Sequence, residues 1–366
     1  MYPPVVGGIE RHIHALRRFM PDVRSDVLVC SHSLHTSEVW VAGGRELRLR
    51  EFGRRILALP VSPEVLREVR RSPADLIHVH MPYPLGELAA LSGARRRPIV
   101  CSFHADVVRQ VRWLWLYRPL VQQILDRADA IVVGSERTAR DSPLFGRRRP
   151  IEVIPYGVDL AWFDPGEVTS DERLAVRKPY GAASRPLILA VGRLVYYKGF
   201  DHLIAAAQGL DAEVVIAGHG PMLQELRAQA ALAPNAHVVG ALSPADLRRH
   251  LAAADFFVLP STSRAESFGL ATVEAQAMGK AAVVANVGTG TTEAIQPGET
   301  GVVVAPRDPP ALRAAMAELL SEPERLHAMG AAARERALVR FDARARASDV
   351  EQVYRRVMVD RERCAR

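Results

Sequence analysis

Six short apolar runs punctuate the second half of the chain: PLILAVGRL, AEVVIAGHG, AHVVGAL, ADFFVLPS, AAVVANVG and GVVVAP. Stretches of helical pattern such as FDHLIAAAQ, PMLQELRAQA and SPADLRRHLAAA separate them. Runs that are apolar on consecutive residues are strands covered on both faces, and a helix between successive strands is the crossover that parallel pairing requires. This restricts the chain to an α/β class with helices on both sides of a parallel sheet. The first half repeats the pattern. DVLVCSH, DLIHVHMPYP, RRRPIVCSFHAD, ADAIVVGSE and IEVIPYGVD read as strands, with a weaker segment around Leu47–Leu59. Helices are expected from near Ile9, over Pro63–Arg71, Leu85–Ser92 and Leu114–Arg127. The phrase ADAIVVGS from Ala128 is matched by ADFFVLPS from Ala254, so the halves read as two sheets of one type.

A chain of 366 residues is too long for one ordinary core. The pattern lapses between Leu160 and Arg185 into a charged, Pro- and Gly-containing stretch that reads as a linker. The expected division is a first domain over residues 1–165, a second over 166–340, and a terminal Arg-rich helix over 341–366. An ordinary surface helix is the plain reading of that last segment. The chain opens with MYPPVVGGIE, a Gly-rich turn running into a helix with no strand before it, so the first strand of the first domain is expected to be missing.

A hydrophobic content of 48% with 24% charged residues is that of a globular protein. The net charge of +7 suits acidic partners: nucleic acid, an anionic membrane surface or a phosphorylated substrate. Nucleic acid is set aside, because base-stacking aromatics interleaved with basic residues are missing. No run approaches the ~20 apolar residues of a membrane span, and the N-terminus has no signal-like apolar stretch. Cys30, Cys101 and Cys364 are isolated, which fits a reducing cytoplasm. No G-x-S-x-G, Walker A or zinc spacing occurs. His78 and His80 form an H-x-H on one strand face, but without a third ligand at recognisable spacing no metal is expected there.

The stretch PSTSRAESFGLATVEAQAMG, Pro260–Gly279, carries the chemistry. A buried strand ends before it, a Ser-Phe-Gly turn follows, and Leu270–Met278 reads as a helix stopped by Gly279. Glu266 then sits in the loop and Glu274 about one turn into the helix. For a lone Glu a solvated surface position is the commoner outcome. A helix N-terminus at a strand's carboxyl end, however, carries free N–H groups and about half a positive charge, which suits phosphate. An ionised carboxylate accepts both donors of a vicinal diol. Arg193 and Lys198, in GRLVYYKG, flank another strand end, where two cations can meet one anion. Together with the turn at Phe268, Gly269 and Leu270 they read as a diphosphate site. Gly7 and Gly8 could bring first-domain backbone near the same anion, a weak signal by itself. His104, in CSFHAD, lies at a strand end, where a structural histidine is the more common outcome.

ESFGLATVE, with seven residues between Glu266 and Glu274, together with GRLVYYKG, IPYGVDLAWFDP, the AGHGP turn and GGIE, resembles the retaining glycosyltransferases of family 4. The resemblance covers essentially the whole chain in order. It implies the GT-B fold, two Rossmann-like doubly wound parallel-sheet domains facing across a cleft, with a nucleotide-sugar bound mainly by the second domain and the acceptor by the first. By resemblance Arg193 and Lys198 hold the donor diphosphate, Glu274 the ribose and Glu266 the transferred sugar. Backbone at Phe268, Gly269 and Leu270 adds phosphate contacts, Gly8 belongs to a first-domain loop over the diphosphate, and His104 sits beside the reacting centre. The terminal helix would cross back onto the first domain. No cofactor and no divalent metal are implied, and no nucleophile is assigned.

HADVVRQVRWLWLYRPLVQQILDRADAIVVGS and SRAESFGLATVEAQAMGK look like the bacterial branch that transfers mannose or rhamnose in O-antigen and exopolysaccharide assembly. That likeness implies GDP-mannose as the leading donor, a lipid-linked or surface-polysaccharide glycan acceptor, and a cytoplasmic enzyme peripheral at the inner membrane. Arg95–Arg97 and Arg147–Arg149 could meet anionic headgroups at about 1 kcal/mol per charge, although solvated loops are the simpler account of them. A UDP-sugar-dependent transferase, a catalytically inactive nucleotide-sugar- or glycan-binding protein and a sugar-nucleotide epimerase are the rival readings.

Overall fold

A computed structural model of the chain describes residues 7–31, 35–41, 43–52, 61–94, 97–105, 111–145 and 151–365. They fold as two compact units, one from residues 1–157 and 343–366, the other from residues 158–342. The division therefore falls at Gly157/Val158, before the expected 165, and the terminal helix belongs to the first unit.

The first unit opens with α1 (Gly8–Phe19), which starts directly at the Gly-Gly turn; the residues before Gly7, where the missing strand was expected, lie outside the described ones. β1 (Val27–Ser31), β2 (Ser37–Val41) and β3 (Gly44–Arg50) follow and form one sheet in the order β1-β3-β2. β2 runs antiparallel to β3, a departure from the all-parallel expectation. Val41 pairs with Gly44, close by in sequence, and antiparallel neighbours need no longer connection than that. β2 is exposed along its length, and its apolar run is the short Val39-Trp40-Val41.

Then come α2 (Glu64–Arg71), β4 (Ile77–Met81), α3 (Pro84–Ala94), β5 (Ile99–Phe103), α4 (Val111–Arg127), β6 (Ala130–Val133), α5 (Glu136–Asp141) and β7 (Ile151–Val153). β4 to β7 pair in parallel and in chain order as a second sheet. Of the Arg clusters considered for headgroups, Arg95, Arg96 and Arg147–Arg149 lie outside the described residues. Arg97 has an internal job: its guanidinium donates to the carbonyls of Val69, Ser72 and Gly93 at the ends of α2 and α3. Charge-assisted bonds of this kind occupy carbonyls that the last helical turn leaves unpaired.

The second unit begins with α6 (Ser170–Arg177), inside the stretch expected to be a linker. That stretch is folded. Thr169 and Glu172 make a reciprocal capping box, and Arg177 at the helix end donates to the carbonyls of Ala182, Arg185 and Ala253 and pairs with Asp255 at 3.1 Å. The polar composition that suggested a linker is what makes these caps.

The order continues β8 (Leu187–Val191), α7 (Phe200–Ala207), β9 (Glu213–Ala217), α8 (Leu223–Ala230), β10 (Ala236–Gly240), α9 (Pro244–Ala253), β11 (Phe256–Leu259), α10 (Leu270–Ala277), β12 (Ala282–Ala285), β13 (Gly301–Val304), α11 (Pro309–Ser321) and α12 (Pro323–Arg340). All six strands are parallel, in the order β10-β9-β8-β11-β12-β13. The chain builds outward from β8 to β10, then returns to the centre and builds the other way from β11. The crevice at the carboxyl ends of β8 and β11 is therefore the topological switch point, where open sheets of this kind bind ligands.

α13 (Ala343–Ala365) closes the chain in the first unit. It is more than a surface helix. Ala347, Val350, Val353 and Val357, at helical spacing, are buried with Leu16 of α1, Met20 just after it, and Val100, Ala130 and Val132 of the sheet. Each buried valine contributes about 1.5–3 kcal/mol, while the arginines between them face outward.

Candidate active site

In the second unit the two loops at the switch point are locked to each other. Gly199, at φ +68°, passes so close to the Pro260 carbonyl that a Cβ there would collide with it, and Thr262 N–H donates to the Tyr197 carbonyl at 2.8 Å. This brings Lys198 Nζ to 2.5 Å from Glu266 Oε2, with both side chains only about a tenth exposed (12% and 10%). Ser261 donates its hydroxyl to the same carboxylate oxygen at 3.2 Å, and Thr289 donates to the Glu266 carbonyl at 2.6 Å. Glu266 is thus held by its side chain from two sides and by its backbone from a third. Arg193, in the loop after β8, is exposed.

Gly269, at φ +80° and ψ 57°, is the N-cap of α10 and supplies no side-chain cap. A Cβ there would stand 2.5 Å from Leu259 Cδ2, so the left-handed turn is reserved for glycine on two counts. The first amides of α10 are thus left without a side-chain cap, with the positive end of the helix dipole behind them, in the loop that also carries Glu266. Phe268 is buried edge-on against Phe341, ring centroids 6.0 Å apart, so its ring is spent on packing. Leu270 opens the helix, and Glu274 lies one turn on, 1% exposed. Thr272, on the same turn, is fully buried and its hydroxyl has no partner among the described residues.

The sequence-level candidates Arg193, Lys198, Glu266, Phe268, Gly269, Leu270 and Glu274 are all gathered around one switch point. Two supports of Glu266 were missed. Ser261 lies in the loop just after β11 and carries no motif of its own, and Thr289 comes from a separate turn after β12. Of the other lysines, Lys280 stands away from this edge; burial, with Arg173 next to it, pushes its amine down to about 8.

The first unit holds, by itself, a cluster of imidazoles. Parallel pairing places His80 of β4 opposite Ser102 of β5, and His104 follows β5 with its N–H donated to the Met81 carbonyl at 3.1 Å. His80 Nδ1 is 2.8 Å from His104 Nε2, and His104 Nδ1 is 2.7 Å from the Tyr156 hydroxyl. His78 is held in the same manner, Nδ1 to Tyr354 of α13 at 2.6 Å and Nε2 to Ser102 at 2.7 Å. His12 of α1 stands edge-on to Tyr156 with centroids 4.8 Å apart. Burial, with neighbouring imidazoles next, keeps the group neutral: His78 is pushed down to about 3, and His80 and His104 well below the usual range; burial alone pushes His12 down to about 4. Gly8 is the first residue of α1, and a Cβ on it would meet nothing within 4 Å, so packing does not explain the glycine. Among the described residues no group of three or more His, Cys, Asp or Glu is arranged to hold a metal ion, and in the H-x-H pair both nitrogens of His78 and Nδ1 of His80 make internal bonds.

Comparison with known proteins resolves what such a pair of units is. Residues 6–162 match the family described as Glycosyltransferase Family 4, and residues 173–336 the one described as Glycosyl transferases group 1. The chain is 33% identical over 332 residues to a D-rhamnosyltransferase of Pseudomonas aeruginosa, covering 89% of this chain and 86% of that one. The chain belongs to glycosyltransferase family 4. A second relative of this glycosyltransferase is the GDP-mannose-dependent α-(1-6)-phosphatidylinositol monomannoside mannosyltransferase of Mycolicibacterium smegmatis, 35% identical over 285 residues, with 74% and 72% covered. Among solved structures, sucrose-phosphate synthase of Thermosynechococcus elongatus superposes with a TM-score of 0.83 at 23% identity, covering 97% of this chain and 94% of that one. The fold is therefore GT-B, and the enzyme is a hexosyltransferase. None of the described helices is long and apolar enough to cross a membrane.

Proposed function

We propose that this glycosyltransferase moves mannose from GDP-mannose, with retention of configuration, onto a lipid-linked or surface-polysaccharide glycan. The single observation that carries the reading is the Lys198–Glu266 pair at the β8/β11 switch point, beside the uncapped N-terminus of α10. Arg193 and Lys198 receive the donor diphosphate, together with backbone N–H groups at Phe268, Gly269 and Leu270. Glu274 takes the ribose hydroxyls and Glu266 the hydroxyls of the transferred sugar. Lys198 shares its charge with Glu266 before the donor arrives, so the two side chains reach the phosphate and the sugar already oriented.

As the glycosidic bond lengthens, positive charge gathers on the sugar ring and negative charge on the departing diphosphate. Fixed cations and a helix N-terminus stabilise what is developing, which lowers the barrier more than binding the ground state would. The acceptor attacks from the face the diphosphate leaves, and a phosphate oxygen takes its proton. With the cations supplied by the chain, no divalent metal is needed. His104 lies beside the reacting sugar, and Gly8 leaves room for a phosphate near the start of α1.

The mannose and GDP assignments take support from the rhamnosyl- and mannosyltransferase relatives. The same relatives act in O-antigen and phosphatidylinositol-mannoside synthesis by their names, which supports an acceptor at a membrane surface and peripheral attachment there. The test is a transfer assay with EDTA present: GDP release from GDP-mannose in the presence of a lipid-linked glycan, with the new anomeric centre read by NMR. Retained configuration is expected. Turnover of a UDP-hexose in place of GDP-mannose refutes the donor; nucleotide binding without turnover of any donor refutes the enzyme.

A further inference from the structure

Both ring nitrogens of His104 are taken up inside the protein, one by His80 and one by Tyr156. The His80 and His104 rings lie nearly parallel, 7° apart with centroids at 5.1 Å, so the bond between them leaves little freedom to either ring. His78 stacks on His80, ring centroids 4.3 Å apart, and is itself held by Tyr354 and Ser102. His12 closes the cluster edge-on to His80, His104 and Tyr156. No described residue bonds Nε2 of His80.

We propose that His80 is a positioning residue for His104: it fixes the ring and decides which nitrogen of His104 carries the proton during transfer. The inference rests on the reading that His104 lies beside the reacting sugar. A neutral imidazole has one donor and one acceptor, so a chain of them has a single sense. A phenol O–H is a stronger donor than a neutral imidazole N–H, so in this row of three groups the Tyr156 hydroxyl donates to Nδ1 of His104. His104 therefore carries its proton on Nε2 and donates it to Nδ1 of His80, which leaves the proton of His80 on Nε2. A ligand hydroxyl arriving at His104 competes with Nδ1 of His80 for that one N–H, whose direction is settled as long as His80 keeps its acceptor in place. This is how partners behind a functional histidine commonly tune it.

Two substitutions separate positioning from direct contact. His80→Asn places an amide oxygen near the former Nδ1 and keeps the acceptor; His80→Gln places its amide near the former Nε2 and loses it. The positioning role predicts that His80→Asn stays within about threefold of wild type in kcat, while His80→Gln falls about tenfold or more with little change in donor KM. Selective 15N labelling of histidine in the unliganded full chain supplies the second readout: His104 protonated on Nε2 in the wild type and in His80→Asn, and a mixture of tautomers in His80→Gln. Activity rescued by Gln and not by Asn would mean that Nε2 of His80 touches substrate itself, and overturns the proposal. So does a wild-type His104 protonated on Nδ1. Full activity in His104→Ala, by contrast, sinks the role given to His104 while the 15N spectra still decide the bond between the two rings.

Discussion

Replacing Lys198 by methionine keeps the stem of the side chain and removes its charge, which exposes how much the switch point depends on the ion pair. Glu266 is left about 10% exposed with the Ser261 hydroxyl at 3.2 Å as its remaining side-chain donor. Removing one partner of a buried pair costs about 3–5 kcal/mol, and the residual exposure and the serine put this case near the lower end, about 3 kcal/mol. For a unit of this size about 3 kcal/mol corresponds to a fall of about 6–12 °C in Tm. Adding Glu266→Gln removes the stranded charge, so the double variant is more stable than the sum of the single losses by about 2 kcal/mol. Calorimetry of the two single variants and the double reads this coupling, and a transfer assay on the same samples shows a loss of about 10²–10³ in kcat for Lys198→Met. A Lys198→Met enzyme with unchanged Tm and unchanged turnover refutes the reasoning, as do strictly additive losses.

Arg193 is exposed and carries none of the fold, so Arg193→Ala leaves Tm within about 1 °C and lowers transfer about 10²-fold; a stable, fully active variant contradicts its placement. Gly269→Ala forces a left-handed alanine against Leu259 and costs about 2–3 kcal/mol, read by urea unfolding, whereas no change in the midpoint means that the turn is not as tight as described. Thr169→Ala removes one arm of the capping box on α6 and costs about 1 kcal/mol by the same measurement. The buried histidines make the protein acid-sensitive. An unfolded imidazole titrates near 6.5 and folded His12 near 4, so the unfolded chain binds more protons between those values. The stability contributed by neutral His12 is complete above about pH 6.5 and is lost as pH falls, by about 2 kcal/mol at pH 5. His12→Gln flattens that slope in stability measured against pH, and an unchanged slope rejects the assignment.

The second unit was legible because its strands are buried on both faces and announce themselves as apolar runs, and because the loop ending them keeps its acids and cations close in sequence. Ser261 and Thr289 were not, since what makes them useful is where the ends of β11 and β12 meet, a property of register that no local pattern carries. The exposed β2 has only the short run Val39-Trp40-Val41, brief for a strand, and α6 was hidden by the polar residues that cap it. The imidazole network shows the same limit. H-x-H on a strand suggested a metal pair to be discounted; that His80 reaches His104 follows from the pairing of β4 with β5, and that His78 reaches Tyr354 follows from α13 returning to the first unit.

Isothermal titration of GDP into the wild-type chain, with EDTA present, tests most directly the claim that the β8/β11 switch point holds a nucleoside diphosphate. The account predicts one site, with affinity reduced tenfold or more in Glu274→Ala and in Arg193→Ala with Lys198→Ala, each still folded by circular dichroism. Absence of binding to the wild type, or equal binding to all three proteins, contradicts it.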